Sequence, residues 1–306
     1  MDEVDDSAAA KDPLKGTVLI SGCSTGIGRA CALELDRRGY RVFAGVRKNG
    51  DAADLTGAAS PRLLPVILDI TREETINDVV EHIRDETQGR GLDAVINNAG
   101  VVMAFPLEVL PIDELRRQFE VNVFGHLAVT QKCLGMLRQS RGRLITISST
   151  SAFVAAPYVG AYAASKHALE ALTDALRVEQ RHFGIKVSLI EPGDVKTPIW
   201  QKSRQASDAL RERLMQQLGD RIDSVPEEIR SRYEADIQAM RTATDKMAKH
   251  AMPVERVVRA VLHALTARRP KARYPIGART WAVMLGLRNL PVGWRDRLVT
   301  SNLGMK

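Results

Sequence analysis

The chain has 306 residues, 44% hydrophobic and 26% charged, which is ordinary for a globular protein and enough to bury a substantial core. Its net charge is +7, but residues 241–306 carry 14 Lys and Arg against three Asp and Glu, which leaves residues 1–240 at −4. Three scattered cysteines (Cys23, Cys31, Cys133) exclude a disulfide framework, six histidines without ligand spacing argue against a metal, and no run of about 20 apolar residues offers a membrane span.

Residues 1–13 are acidic and Ala-rich without the regions of a secretory signal, and are expected to form a mobile leader. The apolar run over 16–22 predicts a first strand, followed by a glycine turn and a helix over 27–38. Further strands are predicted over 40–46, 63–69, 92–100, 142–149 and 185–191, with helices over 72–87, 112–138 and 161–183. Nearly continuous apolar strands alternating with amphipathic helices indicate a parallel sheet covered on both faces. Residues 14–198 therefore read as a doubly wound α/β core of Rossmann type, in a single domain with six to seven strands.

After Pro198 the pattern changes. Residues 199–252 are charged helix formers interspersed with Ile199, Trp200, Leu210, Leu214, Met215, Leu218, Ile222 and Met240, an amphipathic helical lid. Residues 253–306 hold a helix over 254–267, an extended stretch Ala272–Ile276 that would add a seventh strand, and a basic tail mixing Trp, Leu and Arg.

Tyr162 and Lys166 stand four apart in A-Y-A-A-S-K-H-A-L-E-A-L, on one face of the predicted helix. A free phenol titrates near pH ~10, and an ammonium held beside it favours the phenolate. Ser149, closing the run R-L-I-T-I-S-S, offers a hydroxyl to hold a substrate oxygen beside that phenol, with Ser148 as the fallback. S-G-C-S-T-G-I-G sets Gly22, Gly26 and Gly28 at the first strand–helix junction. Glycines there let the backbone turn tightly and let a pyrophosphate reach the free N–H groups of a helix N-terminus.

The G-x-x-x-G-x-G spacing, N-N-A-G after the fourth strand and Y-x-x-x-K after the fifth resemble the short-chain dehydrogenase/reductase family, in consistent order over residues 16–198. Finer texture (S-G-C-S-T-G-I-G, V-F-A-G-V-R-K, I-L-D-I-T and A-L-T-A-R-R-P-K-A-R-Y-P-I-G) is similar to the retinol and 17β-hydroxysteroid dehydrogenase branch. The resemblance implies hydride transfer between a nicotinamide cofactor and an alcohol or carbonyl. Tyr162 would be the acid/base and a cofactor contact, Lys166 its tuner and ribose holder, and Ser149, thirteen residues before Tyr162 as in the family, the oxygen binder. Asn122, in V-N-V-F-G, would anchor a proton-relay water. Cofactor contacts implied are Gly22, Ser24, Thr25, Gly26, Ile27 and Gly28 in the turn, and Asp69 and Ile70 at the adenine. Asn98, Ala99 and Gly100 would line the adenine-ribose side, and Pro192, Gly193, Val195 and Thr197 would enclose the nicotinamide.

Where NAD users commonly place an acid, this chain has Val46 followed by Arg47 and Lys48, with no carboxylate before Asp51. A guanidinium there attracts a 2′-phosphate, so NADP(H) is expected over NAD(H). Thr25 is a departure, because many NADP-using relatives carry a second basic residue in the glycine turn. The lid and the family branch imply a small hydrophobic substrate, a steroid-, retinoid- or lipid-like alcohol or carbonyl. The helices over 112–138 and 161–183 match those through which relatives form dimers and tetramers. A cytoplasmic homodimer or homotetramer is expected, with no nucleic-acid partner. The basic tail reads first as a solvated face and second as a peripheral membrane contact. Two rival readings are a redox-sensing dinucleotide-binding regulator without turnover and a nucleotide-sugar epimerase or dehydratase. All four catalytic positions are kept, which disfavours the first; the glycine spacing and N-N-A-G disfavour the second.

Overall fold

The computed structural model describes residues 14–218 and 227–303. The leader expected over 1–13 and the lid residue Ile222 lie outside them. Seven strands, β1 (Thr17–Ile20), β2 (Arg41–Val46), β3 (Leu63–Ile67), β4 (Ala94–Asn97), β5 (Arg143–Ile147), β6 (Lys186–Pro192) and β7 (Arg273–Ile276), form one sheet of order β3-β2-β1-β4-β5-β6-β7. Every pairing is parallel. The helices are α1 (Gly26–Arg37), α2 (Asn49–Ala58), α3 (Glu73–Thr87), α4 (Ile112–Phe119), α5 (Gly125–Ser140), α6 (Gly160–Glu179), α7 (Ile199–Leu218), α8 (Glu227–Lys249), α9 (Glu255–Thr266), α10 (Ala278–Leu285) and α11 (Val292–Leu303).

Alternate residues of a strand face opposite sides of the sheet. Val18, Ile20, Val42 and Ala44 pack on one side with Leu35 of α1 and Val261 of α9. Leu19, Phe43, Val95 and Leu144 pack on the other with Ile83 of α3 and Val129 of α5. Both faces are covered, which is why the inner strands read as nearly continuous apolar runs. Each fully buried Leu, Ile or Phe among them contributes about 1.5–3 kcal/mol relative to exposure.

The seventh strand expected near the C-terminus is present and pairs with β6, so the last segment of the chain extends the same sheet as the core. Three features differ from the sequence expectation. Most strands are one to several residues shorter than their apolar runs, because the chain leaves the sheet near the flanking turns, while β6 keeps its predicted length shifted by one residue. Helix α2 was not expected: it buries only Leu55 and so shows no apolar periodicity. The single helix expected over 112–138 is interrupted by a π turn at Glu120–Phe124, a feature common at functional sites. Strand order reverses between β1 and β4, and the crevice beyond their C-terminal ends is where open α/β sheets bind ligands.

Candidate active site

After β1 the chain turns at Gly22 with φ +73°, where a Cβ would stand 2.8 Å from Ala99 Cα. At Gly28 a Cβ would lie 2.3 Å from the Gly22 carbonyl oxygen and 2.4 Å from Asn98 Nδ2. Asn98 buttresses this turn from the β4 side. Its Nδ2 donates to the carbonyls of Ser21 (2.9 Å) and Gly22 (3.0 Å), while Ser21 Oγ accepts from the N–H groups of Asn98 (3.0 Å) and Ala99 (3.1 Å). Thr25 is the N-cap of α1, yet its side chain caps no N–H group. The close-packed glycine turn and the uncapped first-turn donors fit a dinucleotide's diphosphate. Ser24, Thr25, Gly26 and Ile27 are all half-buried at this turn, and Thr197 packs on Gly26.

The other residues implied for the cofactor stand at or just beyond the C-terminal ends of the strands. Arg47 and Lys48 are exposed immediately after Val46 ends β2. The Asp69 carboxylate accepts from Thr71 N (3.0 Å) and Thr71 Oγ1 (2.7 Å), and Ile70 is buried against Gly125. Gly100 faces Lys166, whose Nζ would be 4.0 Å from a Cβ there. Pro192 ends β6, Gly193 N donates to Ile276 O at 3.4 Å, and Val195 bridges to Met252.

Ser149, Tyr162 and Lys166 come together beyond the end of β5. The Ser149 hydroxyl stands close enough to the Tyr162 phenol to influence its titration, and its Oγ accepts from Ser151 N at 3.1 Å. One helical turn past Tyr162, Lys166 Nζ donates to Ile147 O at 2.9 Å and lies 5.9 Å from the phenol ring centroid. Burial pushes the Tyr162 pKa up, and the neighbouring Ser149 hydroxyl only partly opposes this. Burial pulls Lys166 down to about 8 against the attraction of Glu170. At neutral pH the protein's own groups thus hold a protonated phenol beside an ammonium. The depression of the phenol by Lys166 expected from their spacing is not produced by these residues alone, because Lys166 points its donor at Ile147 and desolvation dominates.

Ser148, the fallback, is buried and donates to Glu170 Oε1 at 2.6 Å. Asn122 is fully buried in the π turn. Its Oδ1 accepts from Val101 N (2.9 Å), and its Nδ2 donates to Val101 O (2.9 Å) and Ser165 Oγ (3.0 Å). Ser165 Oγ in turn donates to Tyr162 O at 2.7 Å, linking the π turn to the helix that carries the phenol.

Several neighbours were not singled out in the sequence. Glu170 bridges Ser148 to Arg273 of β7 (2.7 Å), and Arg273 also pairs with Glu191 (2.5 Å) and Asp174 (2.6 Å). Glu191 is fully buried, and desolvation with neighbouring Glu170 pushes it up to about 7. The available signal was Glu170's place four residues after Lys166. His126 Nε2 lies 2.6 Å from Ala99 O, and burial with the Lys166 charge pulls its pKa down to about 3, so the ring is neutral. Tyr158 adopts φ +65°, a strained conformation for a bulky residue, with its hydroxyl donating to Asp236 Oδ2 (3.0 Å) of α8. Tyr158 and Val159 line a groove against α7 and α8 with Phe105, Trp200 and Met240, just ahead of Tyr162 in the chain. Leu210 of the lid is buried; the side chains of Leu214, Met215 and Leu218 lie outside the described residues. Among the described residues no His, Cys, Asp and Glu group is placed to hold a metal.

Residues 16–208 match the family model described as short chain dehydrogenase. The chain is 32% identical to an NADPH-dependent 3-dehydrocapnine reductase of Ornithobacterium rhinotracheale, over 93% of this chain and 96% of the relative. It is 35% identical to retinol dehydrogenase 5 of Homo sapiens, over 92% and 87% respectively. In fold it is similar to a short chain dehydrogenase from Burkholderia cenocepacia in complex with NADP. That structure has a TM-score of 0.67 and 24% identity, with 96% of this chain and 99% of the other covered.

Proposed function

This chain belongs to the short-chain dehydrogenase family of nicotinamide-dependent oxidoreductases, and from that premise we propose that it uses NADP(H) to interconvert a hydrophobic carbonyl and its secondary alcohol. The carrying observation is the buried Tyr162 beside the Ser149 hydroxyl, with the Lys166 ammonium one turn away and 5.9 Å from the phenol ring. The cofactor, when bound, supplies or accepts the hydride. Ser149 holds the substrate oxygen, Tyr162 gives that oxygen its proton in reduction or takes one in oxidation, and Lys166 supplies positive charge beside the phenol. Asn122 braces the π turn and anchors the proton relay.

The preference for NADP(H) is supported by Arg47 and Lys48, which stand exposed at the end of β2 with no carboxylate before Asp51. A relative named as NADPH-dependent agrees. Michaelis constants for the two cofactors test this: a lower value for NADPH is expected, and a lower value for NADH would reverse the preference. The hydrophobic substrate is supported by the groove of Phe105, Tyr158, Trp200 and Met240.

Two observations support a cytoplasmic homodimer or homotetramer. All three cysteines are free and buried. Phe124, Val178 and Phe183 expose apolar surface on and beside α5 and α6. Among the described residues no helix is long and apolar enough to cross a membrane. Peripheral contact through the tail is supported by exposed Trp281, Leu285 and Trp294 beside Arg295 and Arg297. Sedimentation with and without anionic vesicles checks both proposals. A multiple of the monomer mass and salt-sensitive pelleting are expected, and a monomer that stays in the supernatant would remove both.

A further inference from the structure

The lid helix α7 carries four cations within its described side chains, and three of them have carboxylate partners. Arg204 pairs with Asp245, Arg211 with Glu234 and Arg213 with Glu114. Lys202 has no carboxylate in ion-pair reach among the described residues. Its Nζ donates instead to Thr25 Oγ1 at 3.0 Å, a contact across 177 positions of sequence.

The setting of that contact is the glycine turn. Thr25 stands where the turn carries no basic residue of its own, and its hydroxyl caps no N–H group of α1. Thr197, just before α7, packs on Gly26, with its Cβ 3.4 Å from where a glycine Cβ would be. The start of the lid therefore rests on the turn itself, while Arg47 and Lys48 sit at the end of β2. An ammonium bonded to a neutral hydroxyl has a poorer acceptor than a phosphate, which adds the attraction of opposite charges to the same hydrogen bond.

We infer that Lys202 is a phosphate-binding residue of the dinucleotide site, delivered by the lid helix to the glycine turn, where it takes the cofactor's diphosphate together with the N-terminus of α1. Arg47 and Lys48 remain the pair for the 2′-phosphate, so Lys202 serves NADPH and NADH alike. The contact also couples two events. Helix α7 contributes Trp200 to the substrate groove, and Ser207 Oγ of the same helix donates to Ala104 O at 2.9 Å. One side chain thus links cofactor capture to the position of the groove wall. The inference rests on the cofactor reading proposed above.

The test is the dissociation constant of each nucleotide for the full-length protein, read by tryptophan fluorescence at low and high salt. Lys202→Met is expected to raise both constants about tenfold and to weaken their salt dependence. Lys202→Arg should restore most of the affinity, and Arg47→Ala should weaken NADPH alone. Unchanged constants in Lys202→Met, or a loss confined to NADPH, would overturn the assignment while leaving the cofactor site standing. Wild-type protein that binds neither nucleotide would remove the cofactor reading and this inference together.

Discussion

Tyr162→Phe is expected to lower kcat by about 10²–10⁴-fold, the range that general acid–base catalysis supplies. The substitution removes one oxygen and keeps the ring, which is 9% exposed and packed in the first turns of α6. The fold and the glycine turn lie outside its reach, so the NADPH dissociation constant should stay near the wild-type value. Ser149 keeps the hydrogen bond from Ser151 N, so its position is retained. Lys166 likewise keeps Ile147 O. Loss of rate with retained binding therefore reports the phenol's proton and little else. Steady-state rates and nucleotide titrations on the same preparation check this; turnover within a few-fold of wild type would require another acid.

Gly28→Ala should damage the cofactor site by packing alone. The added methyl would meet the Gly22 carbonyl oxygen at 2.3 Å and the Asn98 amide nitrogen at 2.4 Å, far inside contact distance. Neither atom is free to move, since Asn98 Nδ2 already bonds Ser21 and Gly22. The turn must open, at a cost of about 1–3 kcal/mol in stability, and the N–H groups that receive the diphosphate move with it. NADPH binding is expected to weaken by at least about tenfold. Gly57→Ala is the matched control: it lies in α2 with nothing within 4 Å of its Cβ position. There alanine should be neutral or stabilising by up to about 1 kcal/mol. Equal melting and equal NADPH affinity for the Gly28 and Gly57 variants would contradict the packing argument.

The sheet was legible in the sequence because both faces of its inner strands are buried, which forces those strands into apolar runs, whereas the edge strand β7 is mostly half-buried and short. Side chains set at strand ends were legible for a related reason: the turn glycines, Ser149 and the Tyr162–Lys166 pair are each read within a few residues of one another. What escaped was set by distant contacts. The π turn depends on Asn122 gripping Val101, 21 positions earlier. Glu170 finds Arg273 across 103 positions, and Lys202 finds Thr25 across 177. Nothing local marks these residues as partners. The protonation of Tyr162 also lay beyond spacing rules, because burial acts on the phenol more strongly than any charge beside it.

The most direct measurement is hydride tracing with 4-deuterated NADPH of both configurations and a panel of hydrophobic ketones and aldehydes, read by mass spectrometry of the alcohol product. Wild-type protein should place one deuterium on the carbinol carbon from one configuration only, and Tyr162→Phe should yield almost no product while still binding NADPH. Wild-type protein that binds the labelled cofactor yet transfers no label to any carbonyl, or a Phe variant that transfers it as readily, would contradict the account.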